Sequence, residues 1–206
     1  DQIDTLNISA AVAETALDVR ADSTATTGDT VKLSGSKAYT FAATSTALVM
    51  DASAATGVIT ATAAAAKLKS VIGGTAADVL TITANEASTS VDGNAGNDTI
   101  TVNGTYLSTQ TIKGGAGTDT LSVGGNSDIS AATVSSIEII AQGANTFQLS
   151  QAQAVDGLVF TGTGAVTVSN LGANVDLSKV VFADATATTV ISSANSDLTL
   201  GANAAR

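Results

Sequence analysis

Three aspartates set almost evenly along the chain offer its clearest chemistry. Asp78, Asp98 and Asp119 each close a short glycine-rich run: GGTAADVLT from Gly73, GNAGNDTIT from Gly93 and GGAGTDTLS from Gly114, at intervals of 20 and 21 residues. Glycine lets the backbone take positive φ and turn its carbonyl oxygens inward, while the Asp sets a carboxylate near the same point. Calcium is a hard cation that takes six to eight oxygens at about 2.3–2.6 Å. No single turn supplies that number, but two turns stacked about 4.8 Å apart, one β-rung, would share an ion. The expectation is Ca²⁺ between the turns of Asp78 and Asp98, and again between those of Asp98 and Asp119. Carbonyls would come from Gly73 or Gly74, Gly93 and Gly96, and Gly114 and Gly117, with Asn94 and Gly115 in the same turns. Carboxylates stacked so closely repel without a cation, so folding and metal binding should be linked. The competing reading, plain turns that use Asp to bond their own backbone, loses ground because three of them keep register.

The residues that are missing narrow the function. The 206 residues contain no His, no Cys and no Pro, and only three Glu against fifteen Asp. Imidazole acid–base chemistry, thiol nucleophiles, the usual zinc sites and disulfides are therefore excluded. Polysaccharide lyases and hydrolases are built on similar scaffolds. They pair clustered carboxylates with cations and aromatic platforms, whereas this chain has Arg only at 20 and 206 and 3% aromatics, so no enzyme is expected. The formal charge of -10 would repel phosphate backbones and anionic bilayers, which argues against nucleic-acid binding. The most apolar run, Thr60 to Leu68, already contains Lys67, so no membrane insertion is expected. The chain opens at Asp1 without an initiator Met or a signal peptide, and the expectation is a fragment or a processed product.

Positioning three turns at one repeat requires a repeating scaffold. Ala, Thr, Ser and Gly number 39, 32, 21 and 19, more than half of the chain, so the core must be thin and repeated along an axis. Each Asp is followed by apolar residues in alternation: Leu80 and Ile82, Ile100 and Val102, Leu121 and Val123. That is the strand period, and a glycine turn feeding a short strand at each repeat describes one coil of a parallel solenoid. The same spacing continues downstream through Ile139, Phe160 and Phe182. Upstream, Val31–Leu33, Tyr39–Phe41, Leu48–Met50 and Val58–Ile59 have the same character. The fold expected is all-β, a right-handed parallel β-helix or β-solenoid with coils of about 20–22 residues, roughly ten coils in all. Residues 1–206 would form one elongated domain, with 73–123 as the calcium-binding repeat region and 1–25 as a cap or preceding coil. The Ala-rich stretch 61–69 reads as a short connector, though propensity alone favours a helical turn or two, and 10–18 poses the same choice.

The three runs resemble the glycine-rich nonapeptide repeats of the RTX family of secreted calcium-binding proteins. The second and third match best, with Asn94 in place of a glycine, while the first departs from the pattern at Ala76. The segments DASAATG from Asp51 and DISAATV from Asp128 resemble linkers between such turns in bacterial surface-layer proteins and giant adhesins. The resemblance implies an RTX-like β-roll variant, type I secretion, folding outside the cell, and calcium-assisted assembly into a planar lattice at the bacterial surface. Partners would be further copies or neighbouring domains of the chain, with surface glycan or lipopolysaccharide reached through other domains. A stalk in an RTX-like adhesin, or an export and folding module of a secreted enzyme, are the alternatives.

Other residues carry less. Glu138 reads as a solvated strand residue, Asp92 as a possible extra ligand and Asp128 as the end of the metal column. Asn7, Asn97 and Asn103 begin glycosylation sequons that a Thr-rich chain produces by chance. Outward Thr residues read as β-formers on a solvated sheet; a flat ice-, glycan- or lattice-binding face is the alternative. Raising calcium from micromolar to millimolar should increase the β-sheet circular dichroism of the isolated chain. Asp98→Ala should harm it most, because Asp98 would serve both ions; equal tolerance at Asp98 and Asp128 would defeat that ranking.

Overall fold

The computed structural model describes residues 5–18, 29–41, 49–63, 69–83, 89–155, 157–169, 174–184, 190–192 and 197–200. It is an all-β parallel solenoid, as the repeat spacing requires, and among the described residues there is no α-helix. Each coil contributes one strand to each of two ladders. The first ladder stacks Thr5–Ser9, Thr30–Gly35, Val49–Ala55, Ser70–Ile72, Ser90–Asp92, Thr111–Lys113 and Thr133–Ser135. The second stacks Glu14–Leu17, Tyr39–Phe41, Ile59–Ala63, Val79–Thr83, Thr99–Thr105, Thr120–Asp128, Ile139–Gly143, Val159–Gly162 and Val181–Phe182. Seven strands in the first ladder make about six turns, fewer than the ten obtained by dividing length by period. The first repeat is longer, since Thr5 pairs with Thr30. The first ladder also ends at Thr133–Ser135.

The coil changes shape beyond residue 120. The long strand Thr120–Asp128 pairs with Ile139–Gly143 through its first half and with Phe147–Ser150 through its second. Phe147–Ser150 then begins a third ladder with Val166–Ser169 and Val190–Ser192. A 3₁₀ turn, Gln151–Gln153, stands one repeat after Thr133–Ser135, where a further strand of the first ladder would otherwise fall. A separate parallel pair, Asn174–Leu177 with Asp197–Leu200, follows.

In-register stacking makes the core a set of one-residue columns. In the second ladder the inward positions run Ala61, Leu80, Ile100, Leu121, Ile140, Phe160 and Phe182. All seven are buried. Phe160 and Phe182 stack with ring centroids 5.2 Å apart. The first ladder supplies Val31, Met50, Val71, Val91 and Ile112 opposite them. Each strand sends one residue into each column, so the core between the ladders is thin.

Two tyrosines fill corners where backbone groups would otherwise lack partners. The Tyr39 hydroxyl accepts from Ala10 N and donates to Ser34 O, both at 2.7 Å. The Tyr106 hydroxyl donates to Ile82 O at 2.6 Å and accepts from Asn103 N at 3.0 Å. Burial pushes the Tyr106 phenol up to about 12. Tyr106 stays neutral, and both hydroxyls bridge between coils.

Two local expectations change. Residues 61–63 belong to the strand Ile59–Ala63, with Ala61 in the core column, so the proposed connector begins later; 64–68 lie outside the described residues. Within 10–18 the structure forms a strand, Glu14–Leu17, because pairing with Tyr39–Phe41 overrides the helix propensity of Ala. A single-file core makes each large residue count. Leu121→Ala should cost about 2–5 kcal/mol in chemical unfolding, and a loss below 0.5 kcal/mol would show that the column is not closely packed.

Candidate metal centre

The three glycine–aspartate turns join the first ladder to the second and lie one above another. Register fixes this: Ile72, Asp92 and Lys113 pair before the turns, and Val79, Thr99 and Thr120 pair after them. Ala95 and Ala116 also bridge in parallel within the turns. The stacked Asp residues point inward, with Asp78, Asp98 and Asp119 exposed by 1%, 1% and 0%.

What holds them is a ladder of carboxylate–amide bonds that climbs coil by coil. Asp78 Oδ1 accepts from Ile59 N at 2.8 Å, and Asp98 Oδ1 accepts from Asp78 N at 2.7 Å. Asp119 Oδ1 accepts from Asp98 N at 2.8 Å, and Glu138 Oε2 accepts from Asp119 N at 2.7 Å. The backbone ladder restarts on the carbonyls of the same residues. Thr99 N donates to Asp78 O at 2.9 Å, Thr120 N to Asp98 O at 2.8 Å and Ile139 N to Asp119 O at 3.0 Å. Each acid thus supplies the acceptor that the turn would otherwise lack.

The second oxygens differ along the column. Asp78 Oδ2 accepts from Gly74 N at 2.6 Å. Asp98 Oδ2 and Asp119 Oδ2 are buried with no hydrogen-bond partner. Burial pushes the Asp98 carboxyl up to about 6; the Asp78 amide opposes the shift, and the charges of Asp78, Asp119 and Asp92 add to it. Asp119 is raised by burial too, against the bond from Asp98 N, with Glu138 and Asp92 contributing. Asp78 is raised by burial against two amide donors.

The glycines make this approach possible by lacking a β-carbon. On Gly93, a β-carbon would collide with both Asp98 Oδ2 and the Gly114 carbonyl oxygen. On Gly114 it would meet Asp119 Oδ2 and the Ser136 carbonyl oxygen. Gly73, Gly74, Gly93 and Gly114 do not have positive φ, contrary to the expectation from the motif; close approach is what requires glycine there. Left-handed backbone occurs instead at Asn94 (φ 71), Gly96, Gly115 and Gly117.

The structure therefore brings the predicted acids together and sorts the predicted carbonyls. Gly114 O lies beside the unpartnered Asp98 Oδ2. Gly93 O lies instead beside Asp78 Oδ2, which already accepts from Gly74 N. The carbonyl beside the unpartnered Asp119 Oδ2 is that of Ser136, outside the predicted set. Gly74 O accepts from Ala95 N and Asn94 Nδ2, Gly73 O receives a long 3.5 Å contact from Asn94 Nδ2, and Asn94 O accepts from Ala116 N. Gly96 and Gly117 stack on each other at the more exposed part of the turn, and Gly115 packs on Asn94. Among the described residues no three acidic side chains converge on one point. A cation would instead take carboxylates from adjacent coils together with backbone carbonyls. Hard oxygens, buried orphaned Asp98 and Asp119 oxygens, and glycine cradles fit calcium.

Three neighbouring acids fall elsewhere than expected. Asp128 lies at a different corner, where its Oδ1 accepts from Ser130 N and Oγ, so it does not end the column. Asp92 stays in the first ladder, its Oδ1 accepting from Asn94 N and its Oδ2 paired with Lys113 Nζ at 2.8 Å. Glu138 is not a solvated strand residue: it is half-buried and forms the fourth rung of the carboxylate ladder. Its signal in the sequence was the interval of 19 residues from Asp119, hidden because no glycine precedes it. Comparison with protein-family models, curated proteins and solved structures finds no match to this chain.

The raised Asp98 value gives a pH signature for cation-free protein. A carboxyl whose folded value (about 6) exceeds its ordinary 3.8 favours the native state most below 3.8, and this contribution is lost as pH rises through about 6. In chelator, the melting temperature should therefore rise as pH falls from 7.5 to 5, and Asp98→Asn should flatten that rise. An unchanged profile in the variant would remove Asp98 as its source.

Proposed function

We propose that this chain is a structural module of an exported, calcium-dependent bacterial surface protein of the surface-layer kind. In this reading, ions held between stacked turns complete the fold and favour assembly into a lattice. The observation that carries the reading is the pair of buried, unpartnered oxygens on Asp98 and Asp119, the first of them beside the Gly114 carbonyl. Two adjacent carboxylates kept from water are costly unless protonated or paired with positive charge. At neutral pH and millimolar calcium, pairing with the cation is the favoured outcome.

Asp98 and Asp119 would hold the ion between their turns, with Gly114 supplying a carbonyl oxygen. Calcium bound there would neutralise the like charges and tie consecutive coils. The net charge of -10 suits surroundings rich in divalent cations. The absence of Cys and His leaves no thiol or imidazole for softer metals to bind.

Chain purified in chelator should melt at least several degrees lower than the same chain in millimolar calcium. Light scattering and electron microscopy should show ordered sheets or oligomers only with calcium. A calcium-stabilised monomer that never assembles would shift the reading to an adhesin stalk. No stabilisation at all would remove the metal from the account.

A further inference from the structure

We propose that Glu138 is a further cation ligand. It would close the metal column with a site formed by Asp119 Oδ2, the Glu138 carboxylate and the Ser136 carbonyl. This inference rests on the calcium reading above but places an ion one coil beyond the repeats that suggested it.

The two ends of the carboxylate ladder are built differently. At the amino-terminal end both oxygens of Asp78 are satisfied by backbone amides, from Ile59 and Gly74. That turn offers a neighbouring ion no free carboxylate oxygen. Toward the other end, Asp98 Oδ2 and Asp119 Oδ2 lack partners although both side chains are fully buried. The unpaired oxygens are thus displaced toward Glu138.

The turn at Glu138 is a shortened copy of the one below it. Lys113 pairs with Ser135 and Thr120 with Ile139, so residues 114–119 are matched by residues 136–138 alone. With three residues fewer, an Asp would fall short of the position its predecessors occupy. Glu has one more methylene, and its Oε2 still receives Asp119 N at 2.7 Å. Ser136 takes a left-handed φ of 53, unusual for a residue with a side chain. Its carbonyl oxygen meets the same glycine cradle as Asp119 Oδ2, just as Gly114 O does one coil below for Asp98 Oδ2. Charge and carbonyl are thus repeated over the Gly114 cradle, although the turn of Glu138 carries no glycine of its own.

This position also has access to solvent. A hollow of about 230 Å³ opens beside Ser136, Ile137 and Glu138, bounded by Val155, Gly157 and Leu158. Water could complete an oxygen shell there that the interior turns would have to complete from protein.

The test is to titrate the full chain with Ca²⁺ by calorimetry, comparing the parent with Glu138→Gln. Gln keeps an acceptor for Asp119 N and removes only the charge, so the β-sheet spectrum should be retained. The variant should bind one ion fewer than the parent. An unchanged ion count and affinity would overturn the role of Glu138 and leave the Asp98–Asp119 site standing, whereas a parent that binds no calcium would overturn both. If the variant fails to fold, Eu³⁺ luminescence of the parent decides. Two decay classes, the faster from a water-rich terminal ion, are expected, and a single water-poor class would overturn the proposal.

Discussion

Everything in this solenoid depends on how a coil closes its corner. A turn between two ladders interrupts the backbone hydrogen bonds, and buried amides left unpaired there would cost more than the thin core returns. Asp78, Asp98, Asp119 and Glu138 meet that cost by accepting the amide from the coil below. The same bond fixes vertical register, since a slip by one residue would take each carboxylate away from its amide. The price is a stack of buried acids, two of which retain an oxygen with nothing to bind. The feature that sets the register is therefore also the one that calls for a proton or a cation.

The apolar part of the fold is modest by comparison. Columns such as Leu80, Ile100, Leu121 and Ile140 are one residue deep, and Thr and Ser occupy much of the outer surface. Such a core gains from repetition more than from bulk, because each coil rests mainly on its neighbours. In the later coils Phe147 lies against Phe160 with ring centroids 6.4 Å apart.

Much of this architecture could be read from the sequence. Alternating apolar residues after Asp78, Asp98 and Asp119 marked the strands, and the interval between the aspartates marked the coil. The inward carboxylates were legible as a stacked set because three copies shared one register. Glu138 was not, since its turn has lost three residues and every glycine, and only pairing to Ser135 and Ile139 reveals its place. The satisfied state of Asp78 was likewise hidden. Nothing in the motif states that Ile59 and Gly74 would take both its oxygens. The strand at Ile59–Ala63 was obscured by alanine, whose small side chain suits helix and sheet corner alike.

The strand Thr120–Asp128 hands its hydrogen bonds to two successors, Ile139–Gly143 and Phe147–Ser150, while the first ladder ends at Thr133–Ser135. One support is thus exchanged for another along the axis. Under tension the load would pass from the first ladder to the third across this handover. The aspartate turns lie just before it, so clamping them would reinforce the rod where its support changes hands.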